Sequence, residues 1–221
     1  MQTIASRTAK HFAFLAGGFV FGLMAALAAG AERFIELMSL STAYAGFLYI
    51  AVALILAPAG LIRGKPLGLS NILRRDFGIW SGVFALAHFI FGIQVHFGGV
   101  WRNYFFEPEP HGSGLALRFD AFGVANHLGL IAVLVFCVLL ALSNSASIRK
   151  LGPTRWKLFQ QAAYPLFAIL LLHGAIYQAL ETRTLFLIVV FALISATAVI
   201  AQIAGVMRRR QGANPDLKQA E

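Results

Sequence analysis

Apolar residues run along this chain in six long blocks, separated by short segments that hold most of its charge. The blocks cover roughly residues 12–30, 43–62, 78–99, 120–142, 162–180 and 185–206. Each is near the ~20 residues that cross a bilayer as a helix. All six read as helices, because lipid offers no partner for the backbone groups of an open chain. The pattern predicts an all-α integral membrane protein, a six-transmembrane-helix bundle. Residues 1–11 precede it, residues 12–206 form the membrane domain, and residues 207–221 form a basic tail. No internal repeat, low-complexity tract or linker to another domain interrupts the pattern.

Composition sharpens this picture. Of 221 residues, 59% are apolar and 12% are charged, with a mean hydropathy of +0.75. Soluble domains average roughly 45–50% apolar and about 25% charged. A soluble enzyme, a disordered regulator and a secreted disulfide scaffold are therefore poor readings. The single Cys137 forms neither an internal bridge nor a thiolate metal site.

The net charge of +9 would suggest nucleic acid on a soluble protein. Here the basic residues sit between apolar blocks, where they set topology, and no nucleic-acid partner is expected. One side collects Arg7, Lys10, Arg63, Lys65, Arg74, Arg75, Arg149, Lys150, Arg155, Lys157, Arg208, Arg209, Arg210 and Lys218. The other has Arg33, Arg102, Arg118 and Arg183. The positive-inside rule puts both termini in the cytoplasm. The longest loop, about residues 100–119, then faces outward with Glu107, Pro108, Glu109, Pro110 and His111. Arg7, Lys10 and the Ala26-Leu27-Ala28 run give the first block some features of a signal peptide. Its apolar run exceeds the usual ~7–15 residues of a signal core, so it reads as a retained anchor.

Six histidines carry the candidate chemistry. His11 and His111 read as solvated or interfacial. His88 lies ten residues into the third block and His173 eleven into the fifth, and both blocks run in the same direction. At 1.5 Å per residue both imidazoles sit roughly 15 Å deep, level with each other near the midplane. A polar ring in hydrocarbon is a functional candidate by default. Two at one depth suit the two axial positions of a porphyrin iron. The small residues Gly78, Ser81, Gly82, Ala85 and Gly92 read as one face with His88, giving a flat ring room, and Gly174 sits beside His173. The plainer reading is that both histidines and these small residues serve helix packing.

The residues around this pair resemble a known family. Arg74-Arg75-Asp76-Phe77-Gly78-Ile79-Trp80, with Phe84, Leu86 and His88 following, is similar to the third-helix motif of the ferric-reductase-like transmembrane domain. The nearest type is the haem-binding membrane subunit of the periplasmic methionine-sulfoxide reductase system. Arg149-Lys150-Leu151-Gly152-Pro153-Thr154-Arg155-Trp156, then Tyr164 and His173, resembles the second element, and the Gly129 helix ending at Ser143 fits the span between. The similarity covers about residues 73–178, within a ferric-reductase-like core at about 43–206. It implies haem b on His88 and His173, an inner-membrane location, and a periplasmic oxidoreductase as electron acceptor. One departure stands out: Gln160 occupies a position where the family usually has a histidine, which weakens that acceptor and a second ligand site there.

His96 and His127 are a further candidate site, for a second haem, propionates or a quinol, with Asp120 roughly on the face of His127. Packing or interfacial histidines are the plainer reading. Arg74, Arg75 and Arg155 are candidates for haem propionates or a flavin (FMN) phosphate. They also fit as topology determinants and lipid-headgroup anchors. Trp80, Trp101, Trp156, Tyr104 and Tyr164 read as interfacial aromatics. No Gly-x-Gly-x-x-Gly unit follows a strand, and the stretch after residue 206 is too short for a flavin or nicotinamide domain. The expected function is a membrane cytochrome b that takes electrons from a quinol or flavoprotein and passes them to an acceptor on the outer face, as a subunit rather than a self-contained enzyme. The alternative is a non-redox multi-pass protein, a small transporter or assembly factor, using the buried histidines for proton coupling or packing. A transporter should show inverted repeats or interrupted helices, and only Pro165 hints at one.

Overall fold

The computed structural model describes residues 4–63, 68–108 and 115–213. Lys65, Glu109, Pro110, His111 and Lys218 lie outside the described residues. Among the described residues eight α-helices follow in order: α1 Ile4–Ala28, α2 Phe34–Ile62, α3 Gly68–Gly92, α4 Arg102–Phe105, α5 Ala121–Leu142, α6 Ser145–Gln160, α7 Ala163–Leu180 and α8 Leu185–Ala213. A short hairpin joins α4 to α5, with β1 Phe106–Pro108 antiparallel to β2 Leu115–Leu117 in the register Phe106 to Leu117. The chain is an all-α membrane protein apart from this hairpin. Among the described residues five stretches are long and apolar enough to cross a membrane: Thr8–Ala28, Phe34–Ile62, Ala121–Leu142, Ser145–Leu180 (which joins α6 to α7) and Leu185–Gln211.

The element bounds correct the sequence reading in three places. The second span begins at Phe34, not near residue 43, because Ser39, Ser41 and Thr42 continue the helix while buried. Thr42 returns its hydroxyl to the Met38 and Ser39 carbonyls, so the helix carries that group at little cost, whereas the Ser41 hydroxyl is buried without a partner. The third helix begins at Gly68 and ends at Gly92, displaced from 78–99. It is long enough to span at about 37 Å, but with Arg74, Arg75, Asp76 and His88 it falls outside the five apolar candidates. Finally, the basic segment between the fourth and fifth blocks is helix α6. Asn144 caps it by accepting from the Ser147 N–H at 2.9 Å. Gly152 kinks it at φ 74° ahead of Pro153, and Trp156 Nε1 donates to the Leu142 carbonyl at 2.8 Å, folding α6 back on the end of α5.

α2 is the central helix, the most enclosed of the five candidate spans. Helix association in lipid favours close approach of backbones through small residues. Gly22 of α1 meets the Ser41 backbone so closely that a Cβ there would overlap its carbonyl. Ser81 of α3 donates to the Gly46 carbonyl of α2 at 2.8 Å. Pro58 lacks the N–H that would bond the Leu54 carbonyl one turn back. Gln202 of α8 supplies the missing donor, Nε2 to that carbonyl at 2.5 Å, and Gly205 gives the proline ring room. At the start of α1, Lys10 Nζ pairs with the buried Asp76 carboxylate of α3 at 2.6 Å.

The ends of α1, α3 and α7 and the starts of α2, α5 and α8 gather at one end of the bundle, called the distal end below. Its connections are held by specific contacts. The buried Tyr104 hydroxyl accepts from the His96 N–H at 2.8 Å and reaches the Gly92 carbonyl at 3.1 Å, closing the last turn of α3. Tyr104 is thus a buried cap rather than an interfacial aromatic, and burial pushes its phenol pKa up. Arg118 lies over the Phe97 and Phe122 rings at 5.4 and 5.2 Å and donates to Asp120 at 3.0 Å. Asp120 caps α5 by accepting from the Gly123 N–H at 2.7 Å.

The Arg118 hydrogen bond, then the cap, holds the Asp120 carboxyl below its ordinary pKa of 3.8. A carboxylate lowered in the folded state stabilises above its unfolded pKa, and that contribution is lost as pH falls through the folded value. Acidification below about pH 4 is therefore expected to loosen the start of α5, and Asp120→Asn to remove that pH dependence. Hydrogen exchange of the Gly123 and Val124 amides at pH 3 and pH 6 checks it. Identical pH responses in wild type and variant would refute it.

Candidate functional site

His88 of α3 and His173 of α7 meet inside the bundle. Their ring centres lie 6.3 Å apart with the planes 76° from each other. The sequence reading placed them level by counting the third helix from residue 78, ten residues after its start, although its start for the fifth, residue 162, lies next to that of α7. His88 is twenty residues along α3 and four from its end, and His173 is seven from the end of α7. They are level because both lie toward the distal end.

Each ring is oriented by a neighbouring helix. Nδ1 of His88 is 2.9 Å from the Ser39 carbonyl of α2, and Nδ1 of His173 is 2.8 Å from the Ala125 carbonyl of α5. A carbonyl only accepts, so each Nδ1 carries the proton, and in the neutral rings each Nε2 keeps a free lone pair. Metal-bound histidines are held in this way, with the second nitrogen donating to a carbonyl. Gly129 of α5 makes the His173 placement possible: a Cβ there would lie 2.9 Å from His173 Cε1.

A partly open cavity is lined by both histidines. Its walls are mostly apolar, with the small residues Ala43, Gly46, Ala85, Gly92, Ala132 and Gly174 contributed by four helices. The expected small-residue face of α3 holds only in part. Ala85 and Gly92 line the cavity, but Ser81 is bonded to α2, Gly82 packs on Leu140 and Gly78 has open space beside it. At 100° per residue, Gly82 and Gly78 point well away from His88.

The residues present fit a haem by ligand chemistry. An imidazole nitrogen sits about 2.0–2.1 Å from a metal it binds, so two sharing one ion stand roughly 4 Å apart, and their ring centres about one ring width more. The observed 6.3 Å matches that spacing. Among the described residues no set of three or more His, Cys, Asp and Glu side chains converges. A pair of imidazoles suits an iron whose other ligands come from a porphyrin.

The other expected site residues are elsewhere. Arg74, Arg75 and Arg155 do not line the cavity; Arg74 is fourteen residues before His88 on α3, about 21 Å along the axis. The cation at the cavity is Arg183, in the α7–α8 connection, with Glu36 of α2 beside it. Sequence reasoning counted Arg183 only toward topology. The available signal was a lone arginine just beyond the helix that carries His173.

His96 and His127 have separate partners. His96 Nε2 is 3.2 Å from Glu181 Oε1, and His96 lines the distal mouth of the cavity. His127 stacks on Phe105 at 5.7 Å and meets Phe119 edge-on; its Nε2 is buried without a hydrogen-bond partner. The expected Asp120–His127 pair is not formed, because Asp120 is spent on Arg118 and the α5 cap. Gln160 Nε2 is also buried without a partner. No family model matches this chain, and no curated protein matches it significantly.

Proposed function

We propose that this chain is a six-span b-type membrane cytochrome, an electron-transfer subunit of an oxidoreductase, with His88 and His173 as the axial ligands of haem b. The observation that carries the reading is the adjacent imidazole pair, ring centres 6.3 Å apart, each with its Nδ1–H given to a backbone carbonyl. The proposal places α3 across the membrane with the five more apolar spans, both termini in the cytoplasm, and the chain in a bacterial-type inner membrane. The distal end then faces outward, toward a periplasmic acceptor. The electron donor is a quinol or a flavoprotein.

Haem held by His88 and His173 would supply a one-electron carrier. The chain's own residues do the rest. The Ser39 and Ala125 carbonyls fix the tautomer and raise the basicity of each ligand nitrogen. The apolar walls keep water from the histidines and set a low dielectric around them. Gly129 and Gly174 let α5, α7 and α8 close around the site.

A second reading rests on the same hydrogen bonds. A packing histidine also donates to the carbonyl of a neighbouring helix, so a non-redox multi-pass protein would use the pair to join α3 to α2 and α7 to α5. The absorption spectrum decides between them. Protein purified in detergent from haem-replete cells is expected to be red, with a reduced b-type spectrum and about one haem per chain. A colourless, monodisperse protein would overturn the cytochrome reading in favour of the second.

A further inference from the structure

The distal mouth of the cavity holds a guanidinium with its donors unused. The Arg183 side chain is only 17% exposed and lines the cavity. Among the described residues it donates no side-chain hydrogen bond. Its two acidic neighbours stand off, Glu36 Oε1 at 3.9 Å and Glu181 Oε2 at 3.7 Å. Each has another cation: Arg33 faces Glu36 Oε2 at 3.6 Å, and His96 takes Glu181 Oε1 at 3.2 Å. A half-buried guanidinium with five fixed donors normally has them engaged. Gln178, also lining the cavity, gives Nε2 to Tyr44 at 2.8 Å and leaves Oε1 buried without a partner. Unmet donors and one unmet acceptor therefore line the same, otherwise apolar cavity. A carboxylate with a bound water, or a carboxyl group, completes both.

We propose that Arg183 receives a carboxylate of the cavity's ligand, which for haem is a propionate. The inference rests on the haem reading and deepens it. It assigns the carboxylate contact to the distal mouth, rather than to Arg74, Arg75 or Arg155 at the far end of the bundle. Arginine suits the role because its fork matches a carboxylate with two parallel hydrogen bonds. Glu36 and Glu181 attract the guanidinium by charge at 3.9 and 3.7 Å without forming a hydrogen bond to it.

The test compares haem with haem dimethyl ester, whose propionates carry no charge. Each is loaded into wild type, Arg183→Lys and Arg183→Gln in detergent, and release to excess apomyoglobin is timed. Arg183→Gln is expected to release haem roughly ten- to a hundred-fold faster than wild type, the loss of a hydrogen bond to a charged group. Arg183→Lys is expected to fall between. The diester is expected to leave all three at similar rates, since its esters gain little from the guanidinium. Equal release of haem from all three proteins overturns the inference and leaves the haem reading standing. So does equal acceleration of haem and diester, which marks Arg183 as structural only. A wild type that takes up neither porphyrin overturns the haem reading, and the inference with it. The diester serves as the folding control within each variant, because it needs the same histidines and walls.

Discussion

Alanine at either His88 or His173 is expected to abolish the low-spin b-type spectrum, and added imidazole to restore it in each variant. The two rings belong to helices that share few direct contacts, α3 and α7, and each is held by a different neighbour, α2 or α5. Losing one therefore leaves the other in place. The space vacated by the ring is bounded by Gly129 on the α7 side and Gly92 on the α3 side. Free imidazole can enter it and meet the same carbonyl, Ser39 or Ala125, that oriented the lost side chain. Packing histidines would respond differently: alanine would lower stability, and imidazole would restore no absorption band. A full spectrum retained by one of the two variants would refute the paired assignment.

Lys10→Met is expected to cost more stability than any other single change at the start of α1. The Asp76 side chain is 7% exposed and Lys10 27%, and their charged atoms are 2.6 Å apart. Removing one partner of a buried pair leaves the other charge without compensation, at about 3–5 kcal/mol when both are fully buried. The exposure of Lys10 reduces this to about 2–3 kcal/mol. The double variant Lys10→Met, Asp76→Asn is expected to recover most of the loss, because it leaves no charge to orphan. Thermal unfolding in one detergent, followed by tryptophan fluorescence, gives the three values. Additive losses in the double variant would show that the pair contributes nothing by pairing.

The hydrophobic pattern made most of the helices legible, and pairing the histidines of the third and fifth blocks picked out two rings that lie 6.3 Å apart. What it missed has specific physical causes. Ser39, Ser41 and Thr42 lower the local hydropathy, yet they are buried because α2 pairs with α1 and α3 through small side chains and backbone oxygens. α6 is polar enough to read as a loop, but a cap at Asn144 and a tryptophan anchor make it a helix. Arg183 was indistinguishable from a topology-setting arginine, since its role depends on where the α7–α8 connection meets the start of α2. The small residues of α3 were assigned to one face by type, although their angular positions divide them among α2, α5 and the cavity.

The placement of the two histidines on α3 and α7 also dates the site during synthesis. About 85 residues separate them, which at ~5–20 residues per second takes roughly 4–17 s to translate. In that interval α1, α2 and α3 are already made, and their glycine contacts and the Lys10–Asp76 pair let them close on one another. The nascent protein therefore carries half a site, with one ring already pinned to Ser39, before the opposing ring exists. On the proposed cytochrome reading, capture of haem belongs to the end of biogenesis, after α7 has joined α5. A chain stalled before residue 173 would assemble its first three helices and hold nothing between them.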